Sequence, residues 1–210
     1  MVPEQTIPRY VAMLAMFSKH YAERLSGNAY PTRIDTIPAL LTTYEKQTLY
    51  RLAQRVPAGG VIVEIGSFKG GSTACFGAGT QASHAQIHCI DTFRAENVQG
   101  SEGQDTLAEF QKNVAPYMSR ITIHRGWSHE VHESVPTPID CLFVDGDHSY
   151  EGVSRDLRLY LPKLRDNAIL ILHDSAYPPV QRAIREFVLP RETKRLARLP
   201  NMYAGQVAAR

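Results

Sequence analysis

The stretch that most constrains this chain is residues 61–73, VIVEIGSFKGGST. Val61, Ile62, Val63 and Ile65 form an apolar run interrupted only by Glu64. A short run of this kind bounded by turn residues suits a strand buried on both faces of a parallel sheet. Gly66, Gly70 and Gly71 then surround Ser67, Phe68 and Lys69, with Ser72 and Thr73 able to cap a helix. Glycine lets the backbone turn tightly and leaves room for a ligand against it. The N–H groups that open a helix favour an anionic or polar neighbour. Strand, Gly-rich turn and helix together read as a nucleotide-type ligand site, with a ligand-free βα turn as the plain alternative.

Two common readings of the turn fail. A phosphate-cradling P-loop ends in Gly-Lys-Ser/Thr, whereas Lys69 precedes its glycines; the dinucleotide pattern G-x-G-x-x-G breaks at Phe68. What remains is E-x-G-x-x-x-G, with Glu64 placed to accept bonds from the turn's N–H groups or to hold a ligand ammonium. This pattern resembles motif I of the class I S-adenosylmethionine (SAM) dependent methyltransferases.

The rest of the chain supplies a frame for such a turn. Apolar spacing predicts a helix over residues 7–25, and Thr42 followed by Glu45 reads as a capping box opening another. Strands are expected at 61–65, 87–90, 121–124, 139–144 and 168–172. Helices are expected at 72–82, 107–117, 127–135, 153–164 and 180–188, and residues 194–199 and 206–209 are read as a closing antiparallel hairpin. Parallel strands joined by helices demand right-handed crossovers and hence a doubly wound sheet, with the ligand at the strands' C-terminal ends. The polar, glycine-punctuated segment 92–104 is too long for a plain βα connection and reads as a lid or substrate loop, with a disordered surface loop as the alternative. Residues 1–42 are taken as an N-terminal helical segment serving as substrate cap or oligomer contact, and 43–210 as the ligand-binding domain.

Composition narrows the partners. A net charge of +2 is too small to argue for a nucleic-acid or membrane partner, and no segment approaches the apolar length of a membrane span. Cys75, Cys89 and Cys141 are odd in number, lack CxxC spacing and lie in apolar surroundings. They read as free thiols in a reducing compartment, so a cytoplasmic location is expected.

Asp91, Asp145 and Asp174 each fall at the end of a predicted strand, on the edge that also carries the Gly66 turn. A carboxylate at Asp91 is placed to accept two hydrogen bonds from a ribose diol, the position of the second SAM-methyltransferase motif. Gly126-Trp127-Ser128 is similar to the Gly-x-Ser turn that catechol O-methyltransferases place around adenine. By that likeness Ser128 bonds the purine edge and Trp127 stacks on it; a core role for Trp127 stays open. The block FVDGDHSYEGV with ILHD further on resembles the family that includes macrocin-type O-methyltransferases and cephalosporin-hydroxylase-like proteins. The resemblance spans about residues 49–188. It implies a Rossmann-like α/β fold: a doubly wound, mostly parallel seven-stranded sheet with an antiparallel C-terminal hairpin.

The resemblance also implies roles. SAM would be bound by Glu64, Gly66, Ser67, Gly70, Ser72, Asp91, Trp127, Ser128 and Asp145. A magnesium ion would be held by Asp145 and Asp174, with His148 and Asp145 catalytic and His148 the general base. One departure is Ser175, where catechol-type relatives carry an asparagine ligand. His173 is expected to be a buried, satisfied histidine supporting the site. The expected activity is metal-assisted O-methylation of a small hydroxylated molecule, a sugar or natural-product scaffold, by a homo-oligomer such as a dimer. The alternative is a SAM-binding partner of an oxygenating system without methyl transfer.

Overall fold

The computed structural model describes residues 29–96 and 103–208. The helix expected over 7–25 and the middle of the expected 92–104 loop lie outside them. Seven strands, β1 (Val61–Ile65), β2 (Gln86–Asp91), β3 (Ile121–Arg125), β4 (Ile139–Val144), β5 (Leu164–His173), β6 (Glu192–Arg198) and β7 (Met202–Val207), form one sheet. Their order is β3-β2-β1-β4-β5-β7-β6. Pairs from β3 through β5 are parallel, and β7 runs antiparallel between β5 and β6. The order reverses at β1, so the crevice beside its C-terminal end is the switch point where such sheets bind ligands.

The central strands are apolar because both faces are covered: every residue of β4 is buried. One face packs a core in which Val63, Ile65, Leu142 and Val144 meet Val153, Leu157 and Tyr160 of helix α5 (Tyr150–Tyr160). On the other side, α1 (Thr43–Ala53) begins at the predicted capping box. Glu45 N–H donates to Thr42 Oγ1 at 3.2 Å, and Thr42 N–H donates to Glu45 Oε2 at 2.8 Å. Helix α2 (Gly71–Gly79) is buried throughout. Its internal glycines, poor helix formers, are explained by packing. A Cβ at Gly77 would lie 2.4 Å from the Tyr117 ring, and one at Gly79 would lie 2.5 Å from the Tyr50 carbonyl.

Several boundaries differ from the sequence expectation. Gly70, in the left-handed region at φ 87°, caps α2, and the hydroxyl of Thr73 turns inward instead of capping. Strand β5 starts at Leu164 because its polar end, Arg165 to Asn167, is exposed and carries no apolar signal. The last hairpin turns over residues 199–201, so Met202 to Gly205 belong to β7 and not to the loop. β6 is an edge strand with Lys194, Arg195 and Arg198 exposed. No described helix is long and apolar enough to cross a membrane.

Candidate active site

The turn after β1 is held by a carboxylate from the next strand. Ser67 and Phe68 N–H groups both donate to Asp91 Oδ2 at 2.7 Å, and Phe93 N–H donates to Oδ1 at 2.6 Å. Phe68 and Phe93 sit at φ 44° and 57°, a conformation that costs a side-chain-bearing residue about 1–2 kcal/mol. Three charge-assisted bonds offset that cost. Gly66 is required here: at φ 89° its Cβ would lie 2.1 Å from the carbonyl oxygen of Asp145. That contact is the close approach of the β1 and β4 ends, where Asp145 N–H donates to the Ile65 carbonyl at 2.8 Å.

Glu64 behaves differently from the expectation. It lies wholly buried beneath the turn, away from the residues lining the cavity. Its Oε2 accepts from the hydroxyls of Ser67 at 2.9 Å and Thr73 at 2.5 Å, not from turn N–H groups, and its Oε1 has no partner. Burial raises its pKa to about 7. The unfolded chain, with an ordinary glutamate, gives up its proton near pH 4.5 while the native state keeps it to about 7. Stability from this group is therefore complete below pH 4.5 and lost as pH rises through 7, by a few kcal/mol, or about 1.4 per unit. Glu64→Gln should thus gain stability relative to wild type by about 2–3 kcal/mol between pH 5 and 8. Urea unfolding at the two pH values measures it, and parallel curves would show that Glu64 ionises freely.

Of the other predicted residues, Gly66, Ser67, Ser72, Asp91, Trp127, Ser128, Asp145, His148 and Asp174 line one cavity. Gly70 does not; a Cβ there would meet Val114 Cγ1 at 2.7 Å, so it serves helix packing. Trp127 is 42% exposed at the cavity wall and is not a core aromatic. The Ser128 hydroxyl donates to the buried Asp156, which occupies the donor that the sequence reading directed at a purine. Arg155, Pro38 and Leu41, which carried no sequence signal, complete the wall.

At the far end of the cavity the acidic and imidazole groups meet. His148 Nε2 lies 3.5 Å from Asp145 Oδ1 and 3.1 Å from Asp174 Oδ2. The Asp145 carboxylate, with Asp174 behind it, raises the His148 pKa against the effect of burial. His173 is 5% exposed and places Nδ1 3.2 Å from the same two oxygens, with Nε2 3.5 Å from Glu45 Oε1. Burial alone would lower the His173 pKa, but Asp145 and Asp174 together outweigh it and raise it. Asp174 is held below the usual carboxylate range by His173 first and then by Asn201. Its backbone is left-handed at φ 50°.

Glu45 and Asn201 are the residues that sequence reasoning missed. The capping box located Glu45, but nothing local showed that its second oxygen faces His173. Asn201, in the turn between β6 and β7, donates from Nδ2 to Asp174 Oδ1 at 2.8 Å. An amide thus stands beside Asp174 from a distant turn. Asp145, His148 and Asp174 offer donor atoms within 4.8 Å of one another, the one such group of three among the described residues. His148 Nε2 is buried beside the two carboxylates without a well-aligned hydrogen bond to either. Carboxylate oxygens and an imidazole so arranged fit a divalent cation.

Residues 63–175 match the methyltransferase-domain family. An uncharacterized protein of Acanthamoeba polyphaga mimivirus is 23% identical over 169 residues, 75% of this chain and 65% of its own length. One of Sinorhizobium fredii is 26% identical over 118 residues, 54% of this chain and 13% of its own length. The chain therefore spans less than two thirds of either relative. The O-methyltransferase TomG of Streptomyces achromogenes, involved in tomaymycin synthesis and solved with SAM, covers all of both chains at 14% identity and TM-score 0.63. A Bacillus cereus O-methyltransferase solved with S-adenosylhomocysteine matches 84% of this chain and 86% of its own, at 17% identity and TM-score 0.62. A TDP-rhamnose 3'-O-methyltransferase of calicheamicin biosynthesis matches 91% and 93%, at 18% and 0.57. These structures share the fold, and the matched segment carries the glycine turn, Asp91, Asp145, His148 and Asp174. By that match over more than half of its length, the chain belongs to the methyltransferase-domain family.

Proposed function

We propose that the protein transfers a methyl group from SAM to a hydroxyl of a small molecule, a sugar or natural-product scaffold, with a divalent cation at Asp145 and Asp174. The observation that carries this reading is one continuous cavity. Gly66, Ser67, Asp91 and Trp127 line one part of it, and Asp145, His148 and Asp174 another. The likeness in fold to O-methyltransferases solved with SAM or S-adenosylhomocysteine supports it.

Bound SAM supplies a sulfonium methyl group open to direct displacement. The chain's own work is alignment and deprotonation of the acceptor. The turn locked by Asp91 offers the fixed floor on which the nucleoside lies. Asp91 Oδ2 takes two main-chain donors and Oδ1 one, so about one of its four acceptor positions stays open for a ribose hydroxyl. Trp127 offers a flat face at the wall. His148 takes the acceptor's proton, and Asp145 and Asp174, 3.5 and 3.1 Å from its Nε2, favour the imidazolium that forms. His173, set between Asp145, Asp174 and Glu45, keeps the two site carboxylates together. A magnesium ion held by Asp145 and Asp174 would supply a positive charge that lowers the acceptor hydroxyl's pKa.

Calorimetry tests the first half: SAM and S-adenosylhomocysteine should bind, and no heat at millimolar ligand would refute the reading. Turnover on a panel of hydroxylated acceptors tests the second. Activity should vanish in EDTA and return with magnesium. Full activity in chelator would assign Asp145 and Asp174 to proton handling and structure alone.

A further inference from the structure

Past His148 and Asp174 the site opens into a second, wider groove, lined also by Tyr150, Glu151, Tyr177, Pro179 and Asn201. The two hollows share Asp147, His148 and Asp174 as a common wall. A methyl group presented in the first therefore faces the second across the candidate base. We propose that this groove seats the acceptor, and that Tyr177 and Glu151 make it select a neutral or amine-bearing sugar over a phosphorylated one. The proposal rests on the methyl-transfer reading above.

Charge is the first argument. Asp147 and Glu151 line the groove beside Asp174, whose carboxylate faces His148, and His148 is the one basic residue among its described lining. Asp147 is fixed in place, accepting from Ser149 N–H at 2.8 Å at the start of α5, and Glu151 is exposed in that helix's first turn. The nearest aromatic-bound cation, Arg182, is stacked on the Tyr150 ring at 3.9 Å and does not line the groove. A phosphate seated against Asp147 and Glu151 would meet two like charges, with no guanidinium or ammonium among the described lining residues to pair with. Sugar hydroxyls or an ammonium would find carboxylate acceptors.

Shape is the second. Tyr150 is engaged on one ring face by Arg182, and its hydroxyl donates to Glu186 at 2.5 Å. Tyr177 is 54% exposed on a braced backbone: its N–H donates to the Asp174 carbonyl at 2.8 Å, and Pro178 and Pro179 follow. An exposed ring on this braced backbone, beside carboxylates and the Asn201 amide, presents an apolar plate for the C–H face of a sugar and polar groups for its hydroxyls.

The test follows backbone amide signals by NMR. S-adenosylhomocysteine should first shift Gly66, Ser67 and Asp91; if it does not, the methyl-transfer reading itself falls. On the loaded protein, methyl glucoside and glucosamine should shift Tyr177, Glu151 and Asn201, and glucose 6-phosphate at equal concentration should not. Tyr177→Ala should weaken methyl glucoside about tenfold, the loss of one stacked ring, with the S-adenosylhomocysteine shifts unchanged. Glu151→Lys should admit glucose 6-phosphate and weaken glucosamine. With S-adenosylhomocysteine bound, a groove that stays silent to all three sugars, or a wild type that prefers the phosphate, would overturn the proposal alone.

Discussion

Replacing His148 by alanine should slow methyl transfer by roughly 10²–10⁴-fold, the range for loss of a positioned general base, and leave cofactor affinity nearly unchanged. His148 lies at the end of the cavity opposite the glycine turn's Asp91, so its loss removes nothing from the nucleoside floor. The pH profile separates a base from a packing residue. The neutral imidazole is the proton-accepting form, and an ordinary imidazole titrates near about 6.5. The wild-type rate should climb with pH and level off above neutrality, and the variant's should lose that climb. Near-normal turnover with the same pH dependence would place the base elsewhere. His173→Ala should behave differently. Removing the cation among Asp145, Asp174 and Glu45 leaves three carboxylates facing one another, so folding or metal binding should suffer before the pH profile does.

Asp91→Ala should weaken SAM binding by about 1.5–3 kcal/mol, one charge-assisted bond, and also lower the stability of the free protein. Each charge-assisted bond contributes about 1.5–3 kcal/mol, and three main-chain donors depend on this carboxylate, two of them from residues in the left-handed region. The losses do not simply add, because the three bonds share one carboxylate. Asp91→Asn should be milder, since one carbonyl oxygen can still accept from Ser67 and Phe68. Calorimetry for affinity and thermal unfolding for stability read the two effects separately. Unchanged values in both would mean that the turn stands without its latch.

The sheet was legible because each central strand announces itself. Val61 to Ile65 and Ile139 to Val144 lie between covered faces and so read as apolar runs broken only by one acid each, Glu64 and Asp140. Asp91, Asp145, His148 and Asp174 were legible for a related reason: strand ends converge at one edge, and polar residues there stand out against apolar neighbours. The misreadings were of two kinds. Thr73 and Glu64 have the right chemistry for a cap and a ligand contact, but they satisfy each other beneath the turn, a choice made by packing. Glu45 and Asn201 reach the site from α1 and from the β6–β7 turn. Only the folded sheet brings residues 45, 173, 174 and 201 together, so no local spacing could reveal them.

The sheet's outer border at β6 bears on self-association. An unpaired border strand is a template for another chain, and positive charge along it is a common deterrent. Lys194, Arg195 and Arg198 are exposed there, and although Glu192 pairs with Arg195 at 2.7 Å, two copies joined border to border through β6 would gather Lys194 and Arg198 of both into one seam. Pairing through this border is thereby disfavoured.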